Sequence, residues 1–236
     1  MMIGKGTYDV DVKMPKDVYD DGKDVPSFRA YLIAVVRDSN GKVIKIHRQR
    51  SHSPTPNFIC LLLPLTYFAN TGSSCTITNI TGGTCSYQVG TGGGGPQDIP
   101  YPNNNSDANY PVYLVMIQVG SGSQSNPSSA TSLAAPIPNG SSTGQLIYGT
   151  PTTPSNIVVS GSSAYFTISQ AFANQSGSTI DITEVGVVLQ LNLVSYNGHP
   201  NSSCGQVLVW YDVLSSALSI PNGGSVVIYY TFTVNP

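Results

Sequence analysis

Acid–base or nucleophilic chemistry in this chain would draw on a short supply of side chains. Glu184 is the only glutamate, the histidines are His47, His52 and His199, and the cysteines are Cys60, Cys75, Cys85 and Cys204. Hydrolysis needs a nucleophile beside a base, or two opposed carboxylates. His199 and Cys204 are close in the loop YNGHPNSSC, but a solvated histidine beside a structural cysteine is the stronger reading than a Cys-His pair. His47 and His52 sit in a basic stretch, Glu184 falls at an expected strand kink, and nothing assembles into a triad. The chain reads as a non-enzyme with no cofactor.

Fourteen residues separate Cys60 from Cys75 and nine separate Cys75 from Cys85, spacings that fit neither a zinc knuckle nor a redox CxxC, so no metal is expected. The four cysteines allow three full pairings. Cys75 and Cys85 flank the turn-rich TITNITGGT, where a hairpin disulfide competes with free thiols. Cys60, inside an apolar run, reads as a buried small hydrophobe. Asn79, Asn104, Asn139, Asn174 and Asn201 each open an N-x-[ST] sequon in an expected turn or loop. These are candidate N-glycosylation sites, although a chain so rich in Asn, Ser and Thr generates sequons by chance.

Charge is distributed very unevenly. All ten Lys and Arg residues lie between Lys5 and Arg50, and beyond that point the only acids are Asp98, Asp107, Asp181, Glu184 and Asp212. A surface without cations cannot displace counterions from nucleic acid or adhere to anionic lipid. With 236 residues, 40% hydrophobic and 9% charged, the chain suits one large all-β domain or two small ones, and its Thr, Val, Ile and Tyr content argues against disorder. Met1–Val25 lacks the apolar core of a secretory signal. The longest apolar run, Asn57–Phe68, is well short of the ~20 residues that span a bilayer, so no membrane insertion is expected.

Residues 1–26 read as a charged arm holding six Asp and four Lys. Within it Tyr8, Val10, Val12 and Met14 alternate with Asp9, Asp11 and Lys13, the period of a half-buried strand. That strand belongs either at the edge of its own sheet or on a neighbouring subunit, to which it would be donated. Residues 27–236 read as one β-sandwich domain. RAYLIAVVR and VIKIH form a hairpin about Asn40-Gly41, and Asn-Gly turns recur at Asn139, Asn197 and Asn222. Thr55 and Pro56 suit the start of one short helix bearing Phe58, Leu61, Leu62, Leu65 and Phe68, kinked or ended by Pro64. Residues 90–109, rich in Gly, Pro and Asn, read as a long loop and not as a phosphate-binding one.

PVYLVMIQV, apolar on both faces, predicts a central strand. Ile180 and Ile182 share one parity while Val185, Val187, Leu189, Leu191 and Leu193 share the other, which calls for a β-bulge near Glu184. Val226, Ile228, Tyr230, Phe232 and Val234 then line one face of a closing strand.

The segments FTISQAFANQSGSTIDITEVGVVLQL and VLVWYDVLSSALSIPNGGSVVIYYTFTV resemble a β module of structural proteins of tailed viruses. In that family an EVG-type strand precedes a D-V-L turn, a Gly-containing tight turn and a Thr-rich closing strand. Asp212-Val213-Leu214 and Asn222-Gly223-Gly224 occupy those places. VGSGSQSNPSSATSLAAPI is similar to the Gly-rich segment ahead of the module, and the N-terminal hairpin and helix have their likeness too. The resemblance covers about two thirds of the chain and carries packing and turn motifs, not catalytic ones.

The expectation is an all-β Greek-key sandwich, jelly-roll-like, with one short packing helix and an extended N-terminal arm. Its implied role is a self-assembling part of a virion (tail, neck, fibre or capsid exterior), built in the host cytoplasm from copies of itself and other virion proteins. An extracellular filament, pilus or surface-layer subunit joined by strand donation is the alternative. A carbohydrate-binding sandwich, using Tyr101, Tyr110, Tyr113 and Trp210 as an aromatic platform for glycan contact, is the third reading.

Overall fold

Period-two alternation between turn-forming residues dictates most of the architecture. The structure, a computed structural model, describes residues 27–51, 53–66, 74–88, 98–101, 115–152, 157–195 and 202–235. The expected arm, with Tyr8, Val10, Val12 and Met14, lies outside them. Among the described residues strands account for 61% and helix for 6%, in antiparallel sheets, which establishes the all-β class.

The N-terminal hairpin is present. β1 (Ser27–Arg37) and β2 (Val43–Ser51) pair about a turn in which Asp38 Oδ1 accepts the N–H groups of Asn40 and Lys42, both at 2.9 Å. Gly41 takes a φ of 79° there, which a residue with a Cβ adopts only under strain. Both faces of β1 are buried, Ala30, Leu32, Ala34 and Val36 on one side and Tyr31, Ile33 and Val35 on the other. That pattern suits an interior strand. Accordingly β1 lies between β2 and β12 (Ser225–Asn235), and β12 pairs onward with β9 (Ser163–Ala173). Two short strands, β7 (Ile147–Tyr148) and β8 (Val158–Ser160), share the far edge of β9.

A second sheet is built on the hairpin of β10 (Ile180–Ser195) and β11 (Ser202–Ile220). β5 (Asp98–Tyr101) and β6 (Val115–Gly120) take separate stretches of the other edge of β10. β5 corrects the loop expected at 90–109, because the free edge of β10 offers Asp98–Tyr101 ladder partners that an irregular loop would forgo. β6 corrects a second expectation, since among the described strands it pairs with β10 alone. Side chains of the first sheet stand in for the missing neighbour. Gln170 Oε1 accepts the Ile117 N–H at 2.7 Å and Tyr148 lies beside the Val119 N–H, while Val119 C=O accepts the Ile137 N–H at 2.9 Å. Satisfied this way, an edge strand can be as buried as a central one.

The inner faces of both sheets contribute to one apolar cluster. Against β11 rests α1 (Pro56–Thr66), with Pro56 at its first position as expected and Pro64 included in its last turn. The Thr55 hydroxyl does not cap it. It donates instead to Leu208 C=O at 2.7 Å, while the Asn57 amide bonds Leu208 C=O at 3.1 Å and Thr78 C=O at 2.8 Å. These contacts bolt the helix start between β11 and the small hairpin of β3 (Ser74–Thr78) and β4 (Thr84–Gln88).

That hairpin decides the disulfides. Its register sets Cys75 opposite Tyr87 and Cys85 opposite Ile77, so the two cysteines are diagonal neighbours, too far apart for an S–S bond. Cys75 is bonded to Cys60 and Cys85 to Cys204, with Cα separations of 5.8 and 5.6 Å. Both alternatives weighed for Cys75 and Cys85, a mutual bridge and free thiols, are thereby corrected, while Cys60 is buried in the core as expected but within a disulfide. One bridge ties α1 to β3 and the other ties β4 to β11. Among the described residues no helix is long and apolar enough to cross a membrane.

Candidate functional site

The bulge expected near Glu184 is where the most polar part of the interior begins. Ile182 pairs with Leu218 and Glu184 with Val213, so Thr183 alone faces the four residues 214–217 of β11. In a regular strand Thr183 and Glu184 would point to opposite faces. The bulge turns both toward the segment following β6. Thr183 Oγ1 donates to Gly122 C=O at 2.7 Å. Glu184, fully buried, accepts the N–H groups of Ala135 at 2.7 Å and Gly122 at 3.2 Å on Oε1. Its Oε2 accepts the Ala134 N–H at 2.9 Å and the Tyr211 hydroxyl at 2.7 Å.

Small residues make this approach achievable. A Cβ on Gly122 would stand 2.8 Å from both the Ala134 Cβ and the Ala135 nitrogen, and one on Gly120 would collide with Glu184 itself. Burial, reinforced by the bond to Glu184, holds the Tyr211 phenol well above the usual tyrosine range. It therefore stays a donor to Glu184 while accepting the Gln124 N–H at 3.0 Å. A carboxylate with both oxygens so occupied is an anchor for residues 120–135.

Asp212 forms a second cluster on the opposite face of the same hairpin. The D-V-L turn implied by the resemblance is corrected: Asp212-Val213-Leu214 lies inside β11, at the start of the stretch that leaves the β10 ladder. Asp212 Oδ2 accepts the hydroxyls of Ser51 and Tyr230, and the Trp210 indole N–H donates to Ser51 Oγ. Burial first, then the charge of Asp212, pushes the Tyr230 phenol far up. Farther along β2, alternate side chains hold the detached part of β11. Lys45 donates to Ala217 C=O at 2.6 Å, and Gln49 spans Val213 C=O at 3.1 Å and the Ser215 N–H at 3.0 Å. This stretch of β11 has exchanged ladder bonds for side-chain bonds.

Ser51 beside Asp212 has the outline of a nucleophile with a carboxylate, yet the neighbouring His47 bonds Gln49 at 2.9 Å and Ser216 instead of either. Ser51, Asp212, Trp210 and Tyr230 are all buried. The arrangement joins the two sheets. His52 and His199 lie outside the described residues, and the Cys204 sulfur, bonded to Cys85, is no free thiol. Sequence reasoning missed Ser51, Tyr211 and Tyr230 as partners of the acids. The available signal was that a lone acid within an apolar strand must find donors.

The remaining candidates separate by burial. Asn174 is buried and both of its amide protons are used, on Ser178 C=O and Ile220 C=O at 2.8 Å each, so it is corrected as a glycan acceptor. Asn79 is half-buried with Oδ1 holding its own turn, Asn139 is exposed, and Asn104 and Asn201 lie outside the described residues. Trp210 is corrected as a glycan platform, because it packs edge-on against Phe58 and Phe232 within the core. Tyr110 and Tyr113 fall outside the described residues, while Tyr101 ends β5.

Exposed large apolar side chains gather elsewhere. Phe28, Val234, Ile157, Val158 and Val159 are all exposed, at one end of the first sheet. In comparisons with family models, curated proteins and solved structures, no match was found.

Proposed function

We propose that the protein is a structural subunit that assembles with copies of itself and with other proteins into a virion part, without catalysis. The resemblance of its C-terminal strands to modules of tailed-virus structural proteins supports the virion, and the use of polar side chains supports the rest. The observation that carries the reading is this division of labour. Both buried acids are spent on holding the fold, while apolar side chains remain exposed on a sheet that carries no charge along β8. We assign the chain path to the Greek-key, jelly-roll-like class. β9 and β12 are neighbours in one sheet and are joined through the β10–β11 hairpin of the other.

Sedimentation and electron microscopy of the purified full chain test the proposal. Ordered particles are expected that persist in molar salt, because few contacts outside the arm can be screened charge pairs. A monomer at every concentration would exclude it.

An extracellular filament or surface-layer subunit is the second reading, favoured by the two disulfides, which are typical of oxidising compartments. Alkylation of thiols at the moment of lysis separates the two. Fully oxidised Cys60, Cys75, Cys85 and Cys204 only in the secreted fraction would favour the filament.

A further inference from the structure

The two lateral edges of the first sheet are finished differently. β2 carries Lys45, Arg48 and Arg50, the charges with which sheet edges discourage pairing. β8 and its surroundings, Ile157 to Ser163, carry no charge and no proline. β8 pairs with β9 on one side, and among the described residues no strand pairs with its other side.

Beside that bare edge runs an apolar row. Phe28 on β1 faces Val234 on β12, Val234 faces Ala164 on β9, and Ala164 faces Val159 on β8. The row lies on the face that, farther along the sheet, forms the core with Phe232 and Tyr230. Here the core is left open: Phe28 is 45%, Val234 50% and Val159 73% exposed. Phe28 is anchored by stacking on Phe58 and Phe232, with ring centroids 5.6 and 6.1 Å apart.

We infer that the bare edge of β8, with the row Phe28–Val234–Ala164–Val159, is the acceptor for the arm strand Tyr8–Met14 of a neighbouring copy. The inference rests on the self-assembly proposed above and names its contact. The arm strand has the required chemistry, with Tyr8, Val10, Val12 and Met14 on one face and Asp9, Asp11 and Lys13 on the other. Added along β8, it gives the edge its backbone partners and extends the apolar row by one strand, the β-augmentation mode of recognition. The arm joins the sheet at Ser27, one residue before Phe28, at the end where the row lies. Twelve residues, 15 to 26, separate Met14 from Ser27, a tether of up to about 40 Å when extended. That length reaches a copy packed against this end. A neighbouring copy as the donor follows from the self-assembly proposed above.

Complementation tests the assignment on the full-length protein. Val159→Lys disables the acceptor, and Val12→Lys or removal of residues 1–24 disables the donor. Each variant alone is expected to sediment as a folded monomer, with an unchanged near-ultraviolet spectrum. A mixture of Val159→Lys with the arm-deleted chain is expected to form a one-to-one pair, since one partner keeps its arm and the other its edge. If wild type assembles and Val159→Lys assembles equally well, the acceptor site is wrong while the proposed function survives. A Val12→Cys, Val159→Cys chain that cross-links within isolated monomers would show the arm folding back on its own sheet and would overturn donation. A wild type that never assembles overturns both.

Discussion

Glu184 and Asp212 lie on opposite faces of one hairpin, equally hidden, and are held by different kinds of donor. Three backbone N–H groups and one phenol converge on Glu184, while the partners of Asp212 include two side-chain hydroxyls. A hydroxyl can rotate, and it both donates and accepts. Ser51 and Tyr230, which meet on the same oxygen, can therefore bond one another when the acid is lost. A backbone N–H has one direction and no alternative once its segment is packed. Burial alone does not rank two acids; the freedom of their partners does.

The largest expected effect is at Glu184. Glu184→Ala strands three amides, each costing about 1–3 kcal/mol when left unsatisfied, so a loss of about 4 kcal/mol is expected in denaturant unfolding. Asp212→Ala should cost about 2 kcal/mol, because its donors re-pair. Equal losses, or a greater one at Asp212, would break the comparison. Gly122→Ala comes next, at about 1–3 kcal/mol, since the new methyl group displaces residues 134–135 from the carboxylate. If that loss vanishes in a Glu184→Ala background, the two changes act on one contact.

The smallest effect at neutral pH belongs to Tyr230→Phe, about 1 kcal/mol. Its pH dependence is more telling. Tyr211 and Tyr230 have raised folded-state pKa values, whereas the unfolded tyrosines ionise near pH ~10. Their contribution is fully present below that pH and is lost as pH rises toward the folded values. Thermal unfolding should show stability falling above pH ~10 in wild type and falling less steeply in Tyr230→Phe.

What the chain discloses on its own is what neighbours in sequence decide. The β1–β2 hairpin follows from two apolar runs flanking Asn40-Gly41, and the bulge from the parity change between Ile182 and Val185. Partner identity is another matter. An apolar strand such as β6 looks central, and only the folded molecule shows Gln170 and Tyr148 in the place of a neighbour. Cys75 and Cys85 are close along the chain, yet a two-residue offset in register sends each to a distant sulfur. Glu184 was readable as a kink; that Gly120 and Gly122 were spaced to admit its carboxylate was not.

One strand has a consequence for synthesis. β12, between β1 and β9, is delivered last of the three. A nascent chain that has emerged only to Asn222 therefore exposes Ala30 to Val36 and Phe166 to Phe172 without the strand that joins them. Such non-local pairing is slow and leaves sticky intermediates. The ribosome holds this protein in its most vulnerable form until Ser225–Asn235 emerges and closes the sheet.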